Sequence, residues 1–131
     1  MTLPLRFRRS WVVMGWALVL FAIYGSLTGN EAIAHSGVND KIMHTGTYAV
    51  LSLWFAGIYP RSRYALIALG LFAMGIAMEF LQGSMHEGRI KDVHDVFANT
   101  LGIFVGLAVA TWWLGGWAQR LERLLALKPE M

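Results

Sequence analysis

The chain has no cysteine and few charged residues, and both absences narrow what it can be. Without cysteine it can form neither a disulfide framework, nor a thiolate nucleophile, nor a thiolate metal site. Only 15% of its 131 residues are charged, whereas 56% are hydrophobic. A soluble domain of this length cannot bury several apolar runs of about 18 residues, the length that crosses the hydrocarbon core of a bilayer. The composition therefore indicates a membrane protein.

Four apolar runs predict four transmembrane helices, at about 11–28, 42–59, 64–82 and 93–114. Pro60 and the basic cluster after it end the second run, and Gly115 and Gly116 end the fourth. A tail at about 117–128 predicts a short amphipathic helix in the cytoplasmic interface, with docking on a partner helix as the alternative. The predicted fold class is therefore all-α, a polytopic four-helix bundle that forms a single domain over residues 1–131.

The basic residues predict an orientation in which both termini lie in the cytoplasm. They also argue against a nucleic-acid partner despite the net charge of +3, because they stand in small groups at the ends of apolar runs. The arginines before the first apolar run resemble the charged n-region of a signal peptide. The run is longer than a usual signal h-region, however, and no good cleavage site follows it. We predict an uncleaved, multi-pass protein of the bacterial cytoplasmic (inner) membrane. The residues on the cytoplasmic side are then Arg6, Arg8, Arg9, Arg61, Arg63, Arg120, Arg123 and Lys128.

Polar residues gather at the extracytoplasmic ends of three predicted helices. In the second helix a polar residue recurs every four positions, which places the set on one face. Asp40, which begins this set, is equally well explained as a helix N-cap. Because alternate helices run in opposite directions, the polar ends of the second, third and fourth helices share one side. We predict an outer-leaflet polar pocket formed by Asp40, Lys41, His44, Tyr48, Glu79, Gln82, Arg89, Asp95 and Asn99.

Structural roles compete with functional ones at several of these positions. A carboxylate within a span costs about 2.5–3.5 kcal/mol at the helix centre, so Glu79 requires either a partner or a place in the interface. Gly102 and Gly106 form a small-xxx-small pair that favours close helix packing. Asn99 suits a hydrogen bond between helices as well as a ligand contact.

These motifs resemble those of the VanZ-like membrane proteins, a family named for an accessory protein of glycopeptide-antibiotic resistance. The family's Asp-Lys-x-x-His-x-x-x-Tyr segment corresponds to Asp40, Lys41, His44 and Tyr48, and its Glu-x-x-Gln segment to Glu79 and Gln82. Its Arg-x5-Asp-x3-Asn-x2-Gly segment corresponds to Arg89, Asp95, Asn99 and Gly102. Two departures are Thr45, where an aromatic residue is common, and the segment 83–88, which lacks the proline frequent in relatives. The resemblance implies an envelope protein associated with reduced sensitivity to teicoplanin.

Three functions remain open at the level of sequence. In the favoured hypothesis the pocket binds membrane lipids or an anionic, amphipathic envelope component, such as a lipid-linked cell-wall precursor or a glycopeptide or lipoglycopeptide antibiotic. Lys41 and Arg89 then hold its phosphate or carboxylate. In the second, an intramembrane enzyme acts on a lipid head group with Glu79, Asp95 and His44 as catalytic candidates. In the third, the polar residues only lock the helices of a structural subunit together, and an oligomer is compatible with all three.

Metal and cofactor chemistry is not predicted. Nitrogen and oxygen ligands lie in the right region, but His86 falls in a loop and His94 on a different helix face from the other candidates. We therefore expect neither a metal site nor a cofactor.

Overall fold

A computed structural model describes residues 2–27, 40–85 and 93–126, and the regular secondary structure in these ranges is entirely helical. Helix α1 spans Arg8–Leu27, α2 spans Asp40–Ile58, α3 spans Tyr64–Met85, α4 spans Val93–Val109 and α5 spans Trp117–Ala126. A 3-10 turn at Arg61–Arg63 precedes α3, and α4 continues into a π-helical turn at Ala110–Leu114. The all-α prediction is confirmed, and a described helix overlaps each predicted helical segment.

Pro60 separates α2 from α3 for a physical reason. Its backbone is extended, with φ −72° and ψ 165°, and its nitrogen carries no hydrogen to donate within a helix. The amide of Arg63 then donates to the carbonyl of Pro60 at 2.9 Å, which closes the 3-10 turn from which α3 starts. The chain thus reverses direction within a few residues.

Helices α2 and α4 form the most extensive contact in the bundle, and glycine makes it possible. A Cβ atom on Gly102 would overlap the carbonyl oxygen of Thr45, and one on Gly106 would overlap the side chain of Ser52. Thr45 also donates a hydrogen bond from its Oγ1 to the carbonyl of Ala98 at 3.2 Å. The two backbones therefore touch along the small-residue face that the sequence predicted.

The outer surface of the bundle is rich in large apolar side chains. Phe21 in α1 is 75% exposed, and Leu69 in α3 and Phe104 in α4 are each 64% exposed. Two stretches of the described chain, 61–81 and 96–114, are long and apolar enough to cross a membrane, and Ile42–Ile58 is a shorter apolar helix. The third and fourth predicted spans therefore meet the length and hydropathy requirements.

A tryptophan cluster joins α1, α2 and α5 at the end of the bundle where α2 stops. The ring centroids of Trp54 and Trp117 are 4.9 Å apart, and those of Trp11 and Trp117 are 5.4 Å apart, both edge to face. Trp117 also donates its indole N–H to the carbonyl of Leu53 at 2.8 Å. Trp117 thus anchors α5 to the bundle, whereas Trp112 and Trp113 are exposed, as membrane-interface anchors are expected to be.

Candidate functional site

Three helices bring polar side chains together near the end of the bundle where α2 and α4 begin and α3 ends. We call His44, Tyr48, Glu79 and Asn99 the polar site. Nδ1 of His44 on α2 lies 2.9 Å from Oδ1 of Asn99 on α4, which is a hydrogen bond when the imidazole carries its proton on Nδ1. Asn99 is only 4% exposed, so this bond is shielded from the surroundings by the helices.

Glu79 is the contribution of α3, and it lies beside Tyr48 of α2. Both side chains are buried, Tyr48 at 3% and Glu79 at 8% exposure, and the two groups interact electrostatically. Gly75, one turn before Glu79, has no side chain and so leaves room beside α3 for the side chains of Tyr48 and Asn99. A Cβ atom there would lie 3.0 Å from Nδ2 of Asn99 and 3.5 Å from the hydroxyl of Tyr48. The polar site is therefore continuous across α2, α3 and α4.

The local sequence explains why these side chains meet. His44 and Tyr48 are four residues apart, so both lie on the face of α2 that is turned toward α4. Asn99 lies one turn before Gly102, where α4 touches the backbone of α2. The close approach allowed by Gly102 therefore carries the short Asn99 side chain within hydrogen-bonding distance of His44.

The other predicted site residues are placed only in part. Asp40, Lys41, Gln82 and Asp95 lie on the same helix ends as the polar site, but their side chains are outside the described residues. Arg89 and His86 lie outside them altogether. The convergence of these residues on the polar site stays a prediction from topology.

The chemistry available in the polar site is hydrogen bonding in a region of low dielectric. The carboxylate of Glu79 accepts hydrogen bonds, the amide of Asn99 both donates and accepts, and the hydroxyl of Tyr48 does the same. Such bonds are electrostatically stronger inside a protein than in water. Among the described residues no group of three or more histidine, aspartate or glutamate side chains could hold a metal ion, and the absence of a metal site stays a prediction.

Sequence reasoning did not find a second polar contact, at the opposite end of the bundle. Glu122 on α5 accepts hydrogen bonds from the backbone N–H groups of Arg6 and Phe7 at 2.7 and 2.8 Å, and from the indole of Trp11 at 2.8 Å. Its position on the polar face of an amphipathic tail is typical of a solvated charge, so no signal in the sequence marked it.

The apolar bundle with a polar site buried near one end defines a small helical protein with candidate membrane spans. The profile of the VanZ/LLP1 family matches residues 2–114, so the chain belongs to this family. The match extends through α1 to α4 and ends before α5. It confirms the resemblance drawn from the motifs at residues 40–48, 79–82 and 89–102. No curated protein and no solved structure shows significant similarity to the chain.

Proposed function

We propose that the chain is a four-span protein of the bacterial cytoplasmic membrane that binds an anionic, amphipathic envelope component through its polar site. We count α1 and α2 as two further spans beside the two candidate spans, because both are apolar. Helix α1 also carries exposed Phe21 and Leu20, which suit contact with lipid. The basic residues at the start of α1, in the turn before α3 and in α5 favour a cytoplasmic location for those segments. The polar site then faces the extracytoplasmic side.

The observation that carries the proposal is the buried carboxylate of Glu79 within a candidate span. Ionisable residues inside a membrane are costly, and those that persist mark substrate sites or proton paths by default. Glu79 lies beside Tyr48 and in the same cluster as Asn99, so several hydrogen-bonding groups face one place. These groups suit the hydroxyl and amide groups of a sugar or peptide.

We assign the ligand's negative charge to two basic residues that topology alone predicts at the same end of the bundle. Lys41 and Arg89 hold its phosphate or carboxylate, the arginine in a bidentate manner. Its acyl chains remain in the outer leaflet beside the bundle. A lipid-linked cell-wall precursor and a lipoglycopeptide antibiotic of the teicoplanin type both have this combination of groups, and capture of the antibiotic lowers the sensitivity of the cell to it.

Identification of the lipids that co-purify with the protein tests the proposal. We would compare the wild type with the double variant Glu79→Gln, Arg89→Ala by mass spectrometry of bound lipids, and record the melting temperature of each in detergent. The double variant Glu122→Gln, Arg63→Ala is the matched control, because it makes the same two chemical changes at the opposite end. We expect one anionic lipid or precursor to be lost from the first variant and retained in the control.

The two readouts separate binding from a structural role. Loss of the ligand at an unchanged melting temperature supports the binding site. Unchanged lipids with a large fall in melting temperature mean that the polar site only holds the helices together, since a partner of a buried charge has been removed. That result would sink the proposal.

A further inference from the structure

A cavity of about 310 Å³ opens at the end of the bundle opposite the polar site. It lies where the amino-terminal segment, the turn around Pro60, the π-helical turn at Ala110–Leu114 and the start of α5 meet. The polar side chains that line it include Arg61, Tyr64, Gln119 and Arg120. None of the described residues that line it is acidic, so its electrostatic character is set by two arginines.

Backbone contacts hold both arginines at the rim of this cavity. Arg61 donates from Nη2 to the carbonyl of Thr111, and Arg120 donates from Nη1 to the carbonyl of Trp113 at 2.8 Å. Both carbonyls belong to the π-helical turn, in which the hydrogen-bond register differs from that of an α-helix. A guanidinium has five N–H donors, so one bond to a carbonyl positions it while other donors remain for a ligand.

The shape of the chain around the cavity depends on two glycines. Gly116 has φ +67°, in the left-handed region that glycine tolerates. At Gly115 a Cβ atom would lie 2.5 Å from the carbonyl oxygen of Ala110, so a side chain would press into the π-helical turn. The two residues let the chain turn sharply from α4 into α5. Because of this turn, Arg120 lines the same cavity as Arg61.

We propose that this cavity, the arginine site, binds the phosphate of an anionic lipid head group. Two guanidinium groups with no acidic neighbour in the lining suit a phosphate, which they can contact in a bidentate manner. The volume is at the lower end for a ligand site, so it suits a head group while the acyl chains stay outside. Trp112 and Trp113, 83% and 75% exposed at the rim, offer those chains an apolar surface.

The phosphate chemistry does not depend on the function proposed for the polar site. Only the lipid source rests on the proposed topology, which places the arginine site against the anionic cytoplasmic leaflet, where basic pockets between helices bind lipid head groups. A free phosphate is the other source of the same chemistry. The experiment therefore contains one arm for each source.

The test uses the purified full-length chain in a neutral detergent. Native mass spectrometry measures the binding of short-chain phosphatidylglycerol and of phosphatidylcholine with matched chains, and the melting temperature is recorded with and without inorganic phosphate. The test variant is Arg61→Gln, Arg120→Gln, which removes both charges and keeps a polar side chain at each position. The control is Arg63→Gln, Arg123→Gln, which removes the same charge from exposed positions that do not line the cavity.

We expect the wild type and the control to prefer phosphatidylglycerol and the test variant to bind it about thirtyfold more weakly, since each of the two arginines contributes about 1 kcal/mol. If inorganic phosphate raises the melting temperature in the same arginine-dependent way and phosphatidylglycerol binds no better than phosphatidylcholine, the phosphate site stands and its source is soluble. Equal weakening in both double variants, or no weakening in the test variant, overturns the proposal.

Single substitutions keep the test decisive if the double variant does not fold. Arg120→Gln and Arg61→Gln should each weaken phosphatidylglycerol binding about fivefold. Arg61→Lys, Arg120→Lys should retain only part of the preference, because the charge is kept but the bidentate contact is lost. Folded single variants that bind phosphatidylglycerol as tightly as the wild type contradict the arginine site.

Discussion

Single residues set the distance between α2 and α4, and through it the geometry of the polar site. Gly102 touches the backbone of α2 at Thr45 and at Ala49, whose amide nitrogen would lie 3.0 Å from an added Cβ atom. Backbone atoms cannot move aside as a flexible side chain can. A side chain at position 102 therefore has to push the two helices apart, which would lengthen the bond between His44 and Asn99.

Gly102→Ala should lower the free energy of unfolding by about 1–3 kcal/mol, the range for an overpacked core position. Gly70→Ala on α3 is the matched control, because a Cβ atom there meets nothing within 4 Å. Its stability should stay unchanged or rise slightly, since alanine favours a helix over glycine. Thermal unfolding in detergent measures both, and equal melting temperatures for the two variants would show that α2 and α4 are not in contact at Gly102.

The hydrogen bond between His44 and Asn99 can be isolated by a double-mutant cycle. Interhelical hydrogen bonds in membrane proteins average about 0.6 kcal/mol with a maximum near 1.7 kcal/mol, so His44→Ala and Asn99→Ala should show a coupling energy in this range. Thr100→Ala is the control partner, because the bond that Thr100 makes among the described residues stays within its own helix, from Oγ1 to the carbonyl of Val96 at 2.8 Å. A coupling between His44 and Thr100 as large as that with Asn99 would contradict the specific bond.

At the scale of elements, α5 binds the amino-terminal segment, residues 3–7, through hydrogen bonds. We call this arrangement of Gln119 and Glu122 around the segment the clasp. Glu122 receives the N–H groups of Arg6 and Phe7, and Gln119 donates to the carbonyl of Pro4 at 3.1 Å. On the other side of the segment, the amide of Leu3 donates to the carbonyl of Ile58 at 2.9 Å. The segment is thus held between α2 and α5 through its own backbone groups, which bond to the side chains of Glu122 and Gln119 and to the carbonyl of Ile58.

Glu122→Gln should loosen this clasp at neutral pH, because the neutral amide accepts hydrogen bonds more weakly than a carboxylate. We expect faster hydrogen exchange at the amides of Arg6 and Phe7 in the variant, and unchanged exchange within α3. Arg123→Gln, one residue along α5 and exposed, is the control. Equal protection of the two amides in the wild type and in Glu122→Gln would contradict the clasp.

The clasp should also depend on pH. Partial burial tends to raise the pKa of Glu122, but hydrogen bonds from Phe7, Arg6 and Trp11, with the charge of Arg6, outweigh it and hold the pKa below the usual 4.5. A lowered pKa contributes stability that is present above 4.5 and is lost as the pH falls through the lowered value. The difference in amide protection between wild type and Glu122→Gln should therefore persist at pH 5 to 7 and vanish in stronger acid. A difference that disappears above pH 5 would refute this assignment.

The elements themselves and their packing faces could largely be predicted from the sequence, whereas the contacts at the end of the bundle opposite the polar site could not. Apolar runs and Pro60 mark the helices because length and missing N–H groups act locally. The polar stripe of α2 and the glycines of α4 also revealed which faces meet. The clasp at Glu122 and the arginine site form where segments remote in sequence meet at one end of the bundle. The local periodicity of the sequence contains no information about such contacts. The π-helical turn at Ala110–Leu114 likewise leaves no mark in the hydrophobic pattern.

At the scale of the whole molecule, the two ends of the bundle differ in chemistry. The end with the polar site carries a buried carboxylate and neutral hydrogen-bonding groups, and the end with the arginine site carries the clasp and most of the basic residues. The proposed topology assigns the first to the outside and the second to the cytoplasm. Each site then faces the leaflet that contains its proposed ligand, so both proposals depend on orientation for their lipid source.

Single introduced cysteines can establish this orientation, because the chain has no cysteine of its own to react. A membrane-impermeant maleimide is applied to spheroplasts before and after lysis. Ser36→Cys and Arg89→Cys should react in intact spheroplasts, whereas Thr2→Cys, Arg63→Cys and Arg123→Cys should react only after lysis. Labelling in denaturant controls for reactivity of each cysteine. Reaction of positions 63 and 89 on the same side would show that α3 does not cross the membrane, and the reverse pattern at all five positions would place the arginine site outside the cell.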